Sequence, residues 1–434
     1  MHIGRQGLNV PYRSPIGKKT NMNRSWLIAV MVLPLLGGCS SENDAPEVVE
    51  EQIPISLSNV SGDWAQTRGQ LVESLNDFKG LGSGTNAGAF HVEGFKYMSA
   101  DDTNPFRVFQ NQLVSWDKTK SEWTYSKLKF WDIAAEKYRF VGYFPANLSD
   151  AESAESGTTL SHIGTITDKS LQLINLPNWK YISVCDDSKL RVTPEGGGDK
   201  VVNTELVTNP LCCEKRDGQA MSNFYDVMVA SSEGAPGEYL KSDGKVNLHF
   251  KHIYAMFVFK VAYPNIDVGG AATTTKYVSD IMIKGNGIPG TNRFKYTYKY
   301  DGTSPSDVYD VGTAESDNEY YSSVIGKPVE ALKQPHLIVR GLVAPFDLGT
   351  SKLLTFYVKY YEAAVGLTGD NKVKPATLIT SPDIPVKDLH KVEPGKIYTF
   401  TIQFSKGQPL NVIDVSVSDW EDYTSNIEQT FYNW

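Results

Sequence analysis

The chain is poor in the residues that most chemistry needs. It has 4 cysteines and 7 histidines among 434 residues. None falls into Cys-x-x-Cys, His-Glu-x-x-His or Gly-x-Ser-x-Gly spacing, and there is no phosphate-cradling glycine loop or calcium-loop pattern. Helical periodicity is scarce, with Leu71, Leu75 and Phe78 forming one short stretch at helical spacing. Basic charge is also lacking. Removing residues 1–38, which hold Arg5, Arg13, Lys18, Lys19 and Arg24 but no acid, takes the formal net charge from −8 to −13. Such an acidic body has no electrostatic footprint for nucleic acid. No apolar run is long enough to span a bilayer as a helix.

The carboxylates and histidines that are present look structural. The pairs in "DDTN" (101–104) and "CDDS" (185–188) read as solvated loop residues. His249 and His252 stand three apart in "HFKH", which on a strand puts them on opposite faces and prevents joint metal binding. The expectation is a protein that is not an enzyme and carries no metal or cofactor.

The amino-terminal region is specific. Arg24 supplies a positive start, with Met22 an alternative first residue, and Trp26 to Leu36 forms a short apolar run. "LGGC" (36–39) then resembles the bacterial lipobox, whose small residues admit a signal peptidase before the cysteine. Residues 1–38 are expected to be a lipoprotein signal peptide, with Cys39 taking the acyl chains that hold the protein at the outer membrane. A plain secretory signal is the competing reading. Residues 39–52, "CSSENDAPEVVEEQ", read as an acidic tether. Cys185, Cys212 and Cys213 remain, with one bridge from Cys185 to either neighbour open and a thiol left over.

The body reads as strands. Tyr398, Phe400, Ile402 and Phe404 alternate with polar residues, "KGQP" (406–409) makes a turn, and Ile413, Val415 and Val417 alternate again: a hairpin. "IYAMFVFKV" (253–261) is apolar on both faces, as in a strand buried between layers. The fold class is all-β and antiparallel, in sandwiches. "SSEGAPGEYLKSDGK" (231–245) is the best linker, dividing domains at 53–238 and 239–434. No short internal repeat stands out. Trp116, Trp123, Trp131, Trp179 and Trp420 could stack on sugars, but large aromatics more often fill cores.

Taken in order, several segments resemble the fimbrillin family, the lipoprotein-derived subunits of type V pili in anaerobes of the gut and mouth. They are the lipobox; "IPISLSNV" after the tether; Arg68 in "TRGQ"; "WDIAAEKYRFVGYFP" (131–145); "VNLHFKHIYAMFVFKV" (246–261); and "PGKIYTFTIQFSKGQPLNVIDVSVSDW" (394–420). The resemblance implies two transthyretin-like β-sandwich domains in tandem. It also implies export as a lipoprotein to the outer surface and cleavage there by an Arg-specific protease. Loss of an amino-terminal strand then opens a groove for a strand from the next subunit. Such a contact is head-to-tail and builds a filament, the fimbrium, that acts in cell adhesion to host or bacterial surface ligands.

Carried onto this sequence, Ile53, Ile55 and Leu57 mark the strand to be lost, and Arg68–Gly69 the cleavage site. An ordinary surface arginine is the competing reading for Arg68, and Arg107 and Arg139 are the other arginines weighed. Ile413, Val415 and Val417 mark the candidate donor strand. "EDYTSNIEQTFYNW" (421–434) lacks clean alternation, so a tip or accessory subunit stands beside a stalk subunit. The alternative function is a glycan-binding lipoprotein of the outer membrane.

Overall fold

The computed structural model describes residues 53–62, 78–79, 88–149, 159–183, 226–264, 274–284, 288, 293–301, 305–312, 320–350, 352–364, 378–387, 389–405 and 408–420, and the short pieces 152–153, 200–201, 215–216, 219–220 and 372–373. Cys39, Arg68, Gly69, Leu71, Leu75, Cys185, Cys212, Cys213 and the tether lie outside them. Strand dominates, as the period-two patterns predict. Helix among the described residues is confined to short turns such as Ala146–Ser149 and Pro236–Leu240.

The first large sheet has seven strands. From edge to edge they are Ser56–Gly62, Lys245–His252, Met228–Gly234, Lys137–Phe144, Ala89–Tyr97, Phe106–Asp117 and Glu122–Tyr125. Lys137–Phe144 is buried almost continuously because its faces serve two cores. Phe140 and Phe144 point to one, and Val141 and Tyr143 to the other. In the first core, Phe78 stacks on Phe144 at 4.5 Å and meets Phe250 at 4.8 Å and Trp123 at 5.5 Å. That ring cluster fixes the inner face of the sheet.

A five-stranded sheet follows the order Trp179–Ser183, His336–Val343, Ala255–Ala262, Lys396–Ser405, Gln408–Asp419. Phe257, Phe259 and Phe400 face the strand Leu354–Ala364, where Phe356 sits 4.8 Å from Phe400 and 5.0 Å from Phe259. The alternating residues Tyr398, Phe400, Ile402 and Phe404 are all buried, as their spacing requires.

Two joints depart from a purely antiparallel arrangement. Ser56–Gly62 runs parallel to Lys245–His252, and Ala255–Ala262 runs parallel to Lys396–Ser405. Parallel neighbours need a long crossover, and in both cases well over a hundred residues separate the partners, a relation that local periodicity does not carry. The stretch 231–245 is also more ordered than its composition suggests. It comprises the end of Met228–Gly234, the helical turn Pro236–Leu240 and the start of Lys245–His252. The two strands pair through Met228 with His252 and Val229 with Lys251. Strands from before and after 238 therefore share a sheet, as Ser170–Pro177 and Arg293–Lys299 also do.

Candidate functional site

The site is built around residues 53–62. Leu57 and Ile55 are each 1% exposed and Val60 is 9% exposed, all three within the first core. Ile53 is 40% exposed, so the inward row begins at Ile55. Burying three such side chains contributes about 1.5–3 kcal/mol each.

Two parts of this segment are paired with different neighbours. On one side it lies parallel to Lys245–His252, with Val60 opposite Leu248 and Gly62 opposite Phe250. Ser61 Oγ lies 3.0 Å from His249 Nδ1 across that joint. On the other side, the Ile55 amide donates to the Lys129 carbonyl at 2.8 Å, and the Trp131 amide donates to the Ile53 carbonyl at 3.0 Å. Pro54 bridges Phe130 in the antiparallel sense. The Tyr125 hydroxyl adds a bond to the Ile55 carbonyl at 2.7 Å. The first strand thus lies at the edge of its sheet, paired with Lys245–His252, while residues 53–55 just before it bond to 129–131.

Its seat depends on residues that the sequence patterns did not single out. Gly244 has φ +71°, and a Cβ there would sit 2.9 Å from the Pro54 carbonyl oxygen and 3.1 Å from Ile53 Cγ2. Its own carbonyl accepts from the Ser56 amide at 2.9 Å and from Trp131 Nε1 at 3.2 Å. The dipeptide Asp243-Gly244 was the available signal, since Asp-Gly marks a turn with positive φ. Trp131 is buried and stacks on Tyr239 at 4.7 Å. Burial pushes the Tyr239 hydroxyl up to about 12 despite its bond to Ser232.

The terminal strand Gln408–Asp419 is different in kind. It is an edge strand, antiparallel to Lys396–Ser405. Val415 is half-buried against the second-sheet core, and Val417 is 53% exposed. The even alternation expected for Ile413, Val415 and Val417 is interrupted, because Val412 faces Ile402 and Asp414 faces Thr401, making Ile413 an extra residue. Buried Leu410 and half-buried Val412 join Val415 on the inner face. Trp420 follows at once, 1% exposed, stacked 3.9 Å from His252.

Other candidate residues fall into place around these two strands. His249 is exposed and His252 buried, so the pair does not converge. Trp123, Trp131 and Trp420 are core residues rather than a sugar platform. The Arg139 side chain is buried and bonded to Glu233 and to Tyr97, so a protease has no access to it as the chain stands.

No curated protein matches the chain by sequence. Among solved structures it is similar to a fimbrial protein from Bacteroides vulgatus, at 13% identity and TM-score 0.49, with 85% of this chain and 99% of that one covered. It is also similar to the tip fimbrial protein Mfa3 from Porphyromonas gingivalis, at 10% identity and TM-score 0.31, covering 77% and 95%. The model of the fimbrillin-like family matches residues 83–420. With most of its length matched by that model, the chain belongs to the fimbrillin-like family, a structural protein rather than an enzyme.

Proposed function

We propose that this chain is a pilus subunit assembled by protease-triggered strand exchange, with residues 53–62 as a removable plug. The observation that carries the reading is the placement of Ile55, Leu57 and Val60 in the core while the same segment pairs with Lys245–His252 and, at 53–55, with 129–131. Taking it away leaves an apolar trough with unpaired N–H and C=O groups along Lys245–His252 and at 129–131. Such a trough accepts an extended strand from another molecule.

The expected sequence of events follows from covalent connectivity. Acylated Cys39 holds the precursor at the outer membrane, surface-exposed, through the tether 39–52. While the chain is intact, the plug is present at the high effective concentration of an intramolecular segment. Cleavage between Arg68 and Gly69 makes it a peptide free to leave, and the same cut separates the body from its lipid anchor. The chemistry outside the protease is then non-covalent: ladder bonds and core contacts of the plug are exchanged for those of a donor. The partners are other fimbrial subunits and a separate Arg-specific surface protease, and the fibre acts in adhesion at the cell surface.

The test is to treat the purified chain with an Arg-specific protease. A pilus subunit loses everything before Gly69 and then gives a ladder of oligomers on a gel. Fragmentation, or a trimmed monomer that never oligomerises, contradicts the proposal.

A further inference from the structure

Exposed apolar side chains gather beside Ile53. Leu128 and Ile133 are 62% and 65% exposed, and Phe130 and Ile53 stand out with them. The backbone ties these residues together: the Trp131 amide donates to the Ile53 carbonyl, and Pro54 bridges Phe130. Phe106, also exposed, borders the same end of the sheet. Lys96 Nζ lies 5.3 Å from its ring centre and 2.8 Å from Asp132 Oδ2. Half of the ten exposed large apolar side chains among the described residues are therefore here, which scattered single exposures do not explain.

The local frame keeps these side chains out of the core. Trp131 and Ala135 of the same loop are already packed into it. The Asp132 amide donates to the Tyr138 hydroxyl at 2.8 Å, and Asp132 Oδ1 accepts from the Ala134 amide at 3.0 Å. Charge then points to the occupant. The formal net charge falls from −8 to −13 without residues 1–38, yet "KLKFWDI" (127–133) sets exposed Lys127 and Lys129 on either side of Leu128. Its one acid, Asp132, is bonded to Lys96. Lysines interleaved with large apolar groups suit the interfacial zone of a bilayer. There the apolar groups enter the acyl boundary and the ammonium groups meet lipid phosphate.

Resting on the reading of Cys39 as the acylated residue, we propose that Leu128, Phe130 and Ile133, with Lys127 and Lys129, form a lipid-docking crest that seats the precursor on the membrane. Residues 39–52 separate the acyl site from Ile53. Fully extended they span at most about 50 Å, so the tether permits docking without imposing it. It also holds the crest at the high effective concentration of an attached group, and a weak lipid site is then enough. The crest acts as a second membrane signal beside the acyl chains. Cleavage after Arg68 removes the acyl chains, the tether and Ile53 together. The trimmed subunit keeps only the weak affinity of the crest and leaves the surface.

The experiment floats residues 39–434, which keep every described residue, with vesicles at millimolar lipid. The vesicles are phosphatidylethanolamine with about 30% phosphatidylglycerol, and Cys39→Ser removes any acyl contribution. This unacylated chain is expected to float, and to float less as salt rises from about 0.05 to about 0.5 M. Adding Leu128→Asp and Ile133→Asp should weaken binding at least about tenfold. Lys127→Gln with Lys129→Gln should weaken it roughly tenfold and abolish the salt dependence. Val308→Asp with Leu353→Asp, at exposed apolar positions elsewhere, should float like the parent. Crest variants that float like the parent, or an equal loss in the control pair, overturn the proposal. A dimer that Leu128→Asp and Ile133→Asp abolish in sedimentation assigns the crest to a second copy and also overturns it. The mass of the cell-made chain at Cys39 separates the two readings. Lipid present there, with an unacylated chain that stays at the bottom of the gradient, overturns the crest alone. Lipid absent there overturns the anchor reading on which the crest rests.

Discussion

The first strand and the terminal strand of this protein both read as alternating sequences and hold very different positions. Residues 53–62 pair with Lys245–His252 and, through 53–55, with 129–131, and their apolar row from Ile55 on is at or near full burial. Residues 408–419 have one partner, with a half-buried Val415 and an exposed Val417. The comparison teaches that neighbours, more than intrinsic strand propensity, decide which of two similar segments is structurally indispensable. The segment that completes the core is the one proposed to leave, and the loosely held one is suited to take its place.

The largest difference is expected from a charge. Leu57→Asp puts a carboxylate in the first core with no partner and should remove more than about 4 kcal/mol. Val417→Asp, on an exposed face, should change stability by less than about 0.5 kcal/mol. Denaturant unfolding of the two variants checks the contrast, and equal effects would break it.

Next comes the anchor of the terminal strand. Trp420 stacks on His252, and its amide donates to the Gly395 carbonyl at 3.0 Å. Trp420→Ala is expected to cost about 3–5 kcal/mol. It should also hasten ladder formation after trimming, because it loosens the strand that must depart. A slower ladder would show that Trp420 serves the docked state instead.

A smaller effect, confined to the plug, should follow from Gly244→Ala. The substitution meets a positive φ and a 2.9 Å approach to Pro54, so a cost of about 1–3 kcal/mol is expected. Hydrogen exchange should quicken at Ile55 and Ser56 and stay unchanged in Lys396–Ser405. Uniform quickening would mean that the plug is not separately seated.

The smallest lever is pH. Burial raises the Glu93 carboxyl above its ordinary 4.5, outweighing the Asn111 amide bond and the Arg107 charge that lower it. A raised folded pKa gives stability that is complete below the unfolded value and is lost as pH rises through the folded one. Wild type should therefore lose some stability on going upward from about pH 4.5, and Glu93→Gln should not. Glu233 has the opposite shift: burial raises it, but bonds from Arg139 and Lys137 prevail. Its contribution is present above 4.5 and lost as pH falls. Unfolding midpoints from pH 4 to 7 separate the two.

Much of this was legible in the residues. Period-two alternation located Lys396–Ser405, and the alternating Ile53, Ile55 and Leu57 marked a segment that pairs into the first sheet. Its outcome was less regular than the pattern, since Ile53 stays half outside and Val60, beyond the bulge, completes the row. A bulge leaves no composition signal in Ser, Asn or Ile. The edge at 129–131 and the parallel partner at 245–250 come from distant parts of the chain, and periodicity is local. The glycine- and charge-rich stretch 231–245 read as a linker because a tight connection between adjacent strands uses the same residues as a spacer.

The most direct test is amide hydrogen exchange on both edges of the slot, 129–131 and Lys245–His252, before trimming, after trimming and after oligomerisation. The account predicts that protection is high in the intact chain, is lost at both edges together once residues up to 68 are removed, and returns in the oligomer. Edges that remain protected in the trimmed monomer, or oligomers that form with the edges still open, would contradict it.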